Sequence, residues 1–283
     1  MIVDAHVHAW PRRPYSPGPG PGPPGSYQSL LREMDAASVG AALIVSAALP
    51  GNTGNNEYVA DAVAACPGRL YQLADVDSRW SKTYHQAGAA DRLAEVYGRL
   101  SPVGVSHYLA GDNDGWLRSD EGRGFLAAAD RRGLIMGLAA PPGWFPDILH
   151  AAASVPRMPV LLNHLALVML HPDGAAAGLD LVRQGAGQHN LIVKVSGYYY
   201  GSNRPSGYPF AGRLTIVRAF YDAWGPGRMV WASDFPASAP HMTYRQSLEV
   251  LREHAGFIDP ADMPLILGGT MGAILDGSWR EAR

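Results

Sequence analysis

The sequence predicts one α/β domain of the (β/α)8 TIM-barrel class, and three observations carry that expectation. The chain has 283 residues, long for an ordinary domain but usual for a single α/β barrel. Short apolar, β-branched runs recur along it, each followed by a helix-like segment, which is the pattern of βαβ units around a parallel sheet. No shift of composition divides the chain, so residues 1–283 read as one barrel domain with its active site at the C-terminal ends of the strands.

Taken in order, the expected strands are Ile2–His8, Ala41–Ala47, Leu70–Val76, Val103–Tyr108, Leu134–Ala139, Pro159–His164, Leu191–Ser196 and Met229–Asp234. Between them, apolar residues recur at helical spacing over Tyr27–Ser38, Glu57–Ala65, Ala89–Leu100, Glu121–Arg132 and Thr215–Trp224. Eight such units fit a closed barrel better than an open sheet built in two halves.

Composition narrows the class of function. Lys+Arg number 23 against 25 Asp+Glu, a net charge of −2, so neither nucleic acid nor a membrane surface is an expected partner. A small-molecule substrate is, and a homo-oligomer is compatible with it. Cys66 is the sole cysteine, which rules out an intramolecular disulfide. The most apolar stretch, Val160–Leu170, is broken by Asn163 and His164 and is too short to span a bilayer. With no basic segment leading into an apolar one at the start, a soluble cytoplasmic protein is expected.

Pro11–Gly25 is a run of proline and glycine that follows the first strand directly, so in a barrel it falls at the active-site rim. It reads as an extended surface loop of polyproline character or as a lid over the site. Within it, Gly20-Pro-Gly22-Pro-Pro-Gly25 formally matches a dinucleotide-binding pattern. The match fails chemically, because prolines lack the backbone N–H groups that cradle a pyrophosphate.

The strongest chemical signal is Asp4-Ala5-His6-Val7-His8. Strict alternation along a strand would put Asp4, His6 and His8 on one face and Val3, Ala5 and Val7 on the other, against helices. Two imidazoles two residues apart can grip one cation, commonly zinc; alone, the pair would sooner read as the wet face of an edge strand. His164 ends the sixth expected strand and Asp234 the eighth, where Pro236 stops it. Singly, these would be a satisfied core histidine and a helix cap. Together, three histidines and a carboxylate fall at strand C-termini of one barrel, where such folds keep their catalysts.

The ordered words Asp4-x-His6-x-His8-x-Trp10, Leu162-Asn163-His164-Leu165, Val193-Lys194-Val195-Ser196-Gly197 and Ser233-Asp234-Phe235-Pro236 resemble the amidohydrolase-2 family, and within it the lactonase branch. The resemblance covers nearly the whole chain. It implies hydrolysis of a lactone or related acyl bond, with His6, His8, His164 and Asp234 around one divalent ion and Asp234 and His164 catalytic. Zinc suits three histidines and a carboxylate; a metal-free mechanism, with Asp234 activating water alone, is also known in this branch. The bridging lysine of two-metal relatives has no counterpart on the fourth strand, so at most one ion is expected. The branch also implies one alternative, a metal-dependent non-oxidative decarboxylase; the Gly-Pro loop and an arginine missing from the fourth strand give weight to another, a ligand-binding barrel that has lost catalysis or a recruited biosynthetic cyclase or isomerase.

Two words depart from the family. Ser106 stands where a Gly-Val-Arg arginine is frequent, and Thr270 where the closing Gly-Asn word has asparagine. Both changes weaken the transfer of the anionic sugar-acid or dicarboxylate substrates of relatives, and aromatics in the rim loops could line a pocket for a ring-shaped, mostly uncharged substrate. His107, Tyr108, Trp116, Trp10 and Tyr198 are candidate substrate contacts, together with Tyr199, Tyr200, Tyr208, Trp80 and Trp144 in the rim loops. For any one of these aromatics ordinary loop packing is the plainer reading, and for Lys194 it is an interior cation paired with a carboxylate.

Overall fold

The computed structural model describes residues 1–11, 25–201 and 207–281. The Pro11–Gly25 loop, apart from its two ends, lies outside the described residues. Eight strands run β1 (Ile2–Val7), β2 (Val39–Val45), β3 (Leu70–Asp75), β4 (Gly104–Tyr108), β5 (Ile135–Ala139), β6 (Val160–Leu162), β7 (Leu191–Val195) and β8 (Met229–Trp231). They pair in sequence order, each parallel to the next. Val7 bridges to Phe235, just past β8, so the first strand meets the last and the sheet curls into the expected barrel.

Helices alternate with the strands: α1 (Tyr27–Ala36), α2 (Asn55–Ala65), α3 (Ala89–Leu100), α4 (Asp120–Arg131), α5 (Phe145–Ser154), α6 (Ala175–Gln184), α7 (Ala211–Trp224) and α8 (Tyr244–His254). Two short ones, α9 (Thr270–Leu275) and α10 (Ser278–Glu281), end the chain. Their starts have local causes. The Ser26 and Ser119 hydroxyls accept from the first-turn amides of α1 and α4, and Thr243 with Gln246 makes a reciprocal capping box for α8. That box, with Arg252 and His254 in the last turn, was a readable signal for α8 that apolar spacing alone did not supply.

Alternate strand residues feed two cores. Leu30, Met34 and Phe125 on the helices pack against outward residues such as Ala42, Ile44 and Val105. Inside the barrel, Val3, Ala5, Leu43, Leu73, Ile192 and Val230 fill the lower layers, and Met271 and Trp279 from α9 and α10 close the bottom.

The first strand breaks the expected alternation. Asp4 pairs with Ala42 and Val7 with Ile44, so Ala5 and His6 together oppose the single residue Leu43. This is a β-bulge, one extra residue on β1. Asp4 consequently lies on the outer face beside the phenol of Tyr244, and the expectation that it shares a face with His6 and His8 is corrected. Without the extra residue His6 would follow Asp4 outward. The Asp4 carboxylate holds the bulge, since its Oδ1 accepts from the backbone of His6 at 3.1 Å and of Ser233 at 3.0 Å.

Both amides are buried, so removing their acceptor leaves two donors unsatisfied, each at about 1–3 kcal/mol. Asp4→Ala is therefore expected to lower the thermal midpoint by roughly 5–10 °C. Asp4→Asn, which keeps an oxygen acceptor, should cost clearly less in the same melting experiment; equal losses would show that the bulge does not depend on that acceptor.

Candidate active site

The upper end of the barrel carries the titratable cluster. His6 and His8 come from β1 and the residue after it, His164 from two residues past β6, and Asp234 from three residues past β8. The expectation that His164 and Asp234 end regular strands is corrected, because β6 and β8 stop at Leu162 and Trp231. Both residues instead turn the chain in left-handed conformations, with φ of 54° and 58°. Non-glycine residues adopt this region at a cost and are held in it by their surroundings. Here the Asp234 amide donates to His6 O at 2.9 Å and the His8 amide donates to Phe235 O at 2.7 Å, so backbone bonds of the β1–β8 seam set the side chains.

All four side chains are nearly or wholly buried. The Nε2 atoms of His6 and His8 stand 3.2 Å apart, and each is 3.6 Å from Asp234 Oδ1. His164 Nδ1 lies 3.8 Å from Asp234 Oδ2 and 3.0 Å from the Ser196 hydroxyl. The other ring nitrogen of His8, Nδ1, faces Val45 O at 2.7 Å, which makes it the N–H donor and leaves Nε2 with its lone pair. His6 Nδ1 meets Lys194 Nζ at 3.2 Å. Lys194 thus points inward as the sequence suggests, but its near partner is an imidazole rather than a carboxylate.

Burial sets the protonation states. It pulls His8 down to about 4 and His6 and His164 well below the usual imidazole value, with Lys194 adding to each shift, so the rings are neutral at neutral pH. Burial raises Asp234 to about 7, opposed chiefly by the Tyr199 hydrogen bond, and lowers Lys194 to about 7.

The aspartate is asymmetric. Its Oδ2 accepts from the hydroxyls of Tyr199 at 2.5 Å and Tyr200 at 3.5 Å, while the buried Oδ1 has no hydrogen-bond partner. Neutral imidazoles and one open carboxylate oxygen are the donor set of a zinc-type site. The spacings among His6 Nε2, His8 Nε2 and Asp234 Oδ1 also match the edge of about 3.4 Å that a tetrahedron of zinc–nitrogen length requires. His6, His164 and Asp234 form a cluster compatible with a metal ion, their donor atoms all within 4.8 Å of one another.

Above the cluster opens a cavity of about 420 Å³, walled by His8, His164, Arg79, Trp80, Tyr108, Tyr199, Tyr200 and His241 among others. Of the expected substrate contacts, Tyr108 lines it. Trp10 does not; it is buried and stacks on His8 with ring centroids 5.2 Å apart. Tyr198 is buried against Phe210, and its neighbours Tyr199 and Tyr200 face the site instead. His107 is buried on the outer side of β4, with Nδ1 donating to Val76 O and its ring near Trp116 and Phe125. Trp116 stacks on His85 and Trp144 donates to Ala110 O, both in the loops behind the cavity wall. Sequence reasoning missed Arg79 and His241. Their only signal was position in the loops after β3 and β8, which the rim of a barrel makes relevant.

Fold and site together define an enzyme of the amidohydrolase type, with a His-x-His pair on β1 and an aspartate after β8. The amidohydrolase family model matches residues 3–274, and the chain belongs to that family. Among solved structures, a probable 2-pyrone-4,6-dicarboxylic acid hydrolase from Acinetobacter baumannii, with citric acid bound, is 21% identical. The match covers 97% of this chain and 99% of that one, with a TM-score of 0.73. An amidohydrolase from Burkholderia multivorans with bound zinc is 17% identical over 98% and 99% of the two chains, at a TM-score of 0.77. The 5-carboxyvanillate decarboxylase of Sphingomonas paucimobilis is 16% identical over 97% and 98%, at 0.62. Among curated protein sequences none matches significantly. Among the described residues no helix is long and apolar enough to cross a membrane.

Gly197 shows how tightly the cluster is packed. It turns the chain after β7 at φ +67°, and a Cβ there would fall 2.6 Å from His164 Cβ and 2.7 Å from the Tyr200 ring. Gly197→Ala is expected to cost about 2 kcal/mol or more and to displace the His164 ring in a crystal structure of the variant. An unmoved ring would show that the neighbourhood yields more readily than its packing implies.

Proposed function

We propose that the protein hydrolyses a lactone or related cyclic ester, with Asp234 as the base that activates water. The observation that carries this reading is Asp234 Oδ1, buried, without a hydrogen-bond partner, and 3.6 Å from two neutral imidazole nitrogens beneath an open cavity. Ionised Asp234 takes a proton from water as it attacks the ester carbonyl, then returns that proton to the ring oxygen as the carbon–oxygen bond breaks. Tyr199 and Tyr200 keep Oδ2 occupied, which leaves Oδ1 to meet the water. The Val45 contact holds the His8 ring with Nε2 toward the same point.

His6, His8, His164 and Asp234 would hold one divalent ion, zinc by donor type, which supplies Lewis acidity to polarise the carbonyl and acidify water. Ions measured in protein purified without chelators are expected at about one equivalent, lost in His6→Ala. Absence of metal together with chelator-insensitive activity would place the whole task on Asp234 and the imidazoles.

The base must be ionised, so kcat/KM is expected to rise with pH through the Asp234 value, near 7 in protein free of metal. Tyr199→Phe removes a hydrogen bond that favours the ionised form, so the rising limb should move to higher pH. Asp234→Asn is expected to lower kcat by at least about 100-fold; full activity in that variant would sink the mechanism. Similarity to a decarboxylase favours one other reading, and release of carbon dioxide from aromatic acids with no action on lactones would establish it.

A further inference from the structure

Hydrolysis of an ester needs two proton transfers, one from the attacking water and one to the leaving oxygen. Asp234 Oδ1 is placed for the first, beneath the cavity and 3.6 Å from two imidazole nitrogens. Its other oxygen, Oδ2, is occupied by the hydroxyls of Tyr199 and Tyr200. The ring oxygen belongs to the body of the substrate, which fills the cavity above. A donor on the cavity wall reaches it without the base changing places.

Few side chains of that wall can give a proton near neutral pH. Burial draws His8 down to about 4 and His164 well below the usual imidazole value, so neither is the imidazolium that an acid requires. The Tyr199 and Tyr200 hydroxyls are turned to Asp234, and burial pushes Tyr199 up. Arg79 is a guanidinium, which keeps its protons. Of the remaining wall residues only His241 and Tyr108 carry an ionisable proton. Between an imidazole and a phenol, the imidazole is the group suited to proton transfer near neutrality.

His241 is built into the same piece of chain as the base. The Ser238 amide donates to Asp234 O at 2.9 Å, and the amides of His241 and Met242 donate to Ser238 O at 2.8 and 3.1 Å. Ser238 and Met242 are buried, and Thr243 caps α8 just beyond them. The stem of His241 is thus tied to the main chain of Asp234 through one intervening residue. Its ring lies flat on that of Tyr199, with centroids 4.3 Å and planes 12° apart, and Tyr199 in turn donates to Asp234 Oδ2. The face of a phenol ring supports the charge that an imidazolium brings. The residue is only half-buried, so it can exchange protons with solvent.

We propose that His241 is a further catalytic residue, the general acid that protonates the ring oxygen as the carbon–oxygen bond breaks. This rests on the lactonase reading above and moves to His241 the second of the two transfers given there to Asp234. Asp234 Oδ1 takes one proton of water while the water oxygen bonds to the carbonyl carbon. The bond from that carbon to the ring oxygen then breaks with its electron pair on oxygen, which takes the imidazolium proton and becomes a hydroxyl. Asp234 releases its proton as product leaves, and His241 regains one from solvent.

The test compares δ-valerolactone, whose leaving oxygen is an alkoxide, with dihydrocoumarin, whose leaving oxygen is a phenolate that departs without a proton. In His241→Gln, kcat on δ-valerolactone is expected to fall by about 100-fold or more and kcat on dihydrocoumarin by less than about threefold. Imidazole added to His241→Ala should restore part of the rate on δ-valerolactone and leave that on dihydrocoumarin unchanged. Equal losses on the two lactones overturn the acid role, and so does imidazole that rescues both rates alike. Dependence on the leaving group that appears in Tyr108→Phe and not in His241→Gln gives the role to Tyr108 and overturns it too. A wild type inert to both lactones overturns the lactonase reading and this proposal with it, whereas activity on both with equal losses overturns the proposal alone.

Discussion

Closing a barrel obliges its first and last strands to pair, and in this protein the residues that make that pairing also belong to the buried cluster of titratable side chains. The Asp234 amide bonds to the His6 carbonyl and the His8 amide to the Phe235 carbonyl, so carboxylate and imidazoles are fixed relative to one another by main chain. Next to the seam, between Asp4 and Val7, β1 holds one residue more than the stretch of β2 it faces. That residue turns His6 into the barrel while Asp4 stays outside, clamping the bulge and the end of β8 through one carboxylate oxygen. Bulges beside active sites serve to re-aim a side chain, and this one aims the first imidazole at the cluster.

Electrostatics follow from that placement. Three imidazoles, a lysine and an aspartate share a volume almost closed to solvent, and burial moves every one of them toward its neutral form. For the histidines this is useful, since only a neutral ring can ligate a cation or accept a proton. For Asp234 it makes a stronger base, because a carboxylate raised toward neutrality holds a proton more firmly than one in water. The two tyrosines limit the rise, stabilising the anion through Oδ2 while leaving Oδ1 free.

The barrel was legible because its strands are short apolar runs at regular intervals, and all eight appear within a few residues of their expected bounds. His6, His8, His164 and Asp234 were legible for a related reason: imidazoles and carboxylates at strand ends have few structural uses. What could not be read is whatever depends on a local break in periodicity. The bulge that separates Asp4 from His6 leaves no mark in a sequence that alternates perfectly. The choice of Tyr199 and Tyr200 over Tyr198 depends on the left-handed Gly197, where the chain leaves β7. His107 sits one residue before the end of β4, and that single step of register puts it behind the wall while Tyr108 lines the cavity.

Lys194 shows how the pieces constrain one another. It is wholly buried and touches His6 Nδ1, and its charge opposes protonation of His6, His8 and His164. An ammonium donating to Nδ1 would leave the hydrogen of neutral His6 on Nε2, where it faces His8 Nε2. That arrangement satisfies the pair without any cation. A cation among the donors requires the opposite tautomer, with Nδ1–H donating to a neutral amine. Burial has already brought Lys194 to about 7, so the step between the two arrangements is small near neutral pH. The interior lysine therefore makes the His6 tautomer responsive to what occupies the cluster, and an aliphatic side chain at that position would leave Nδ1 without a partner in both states.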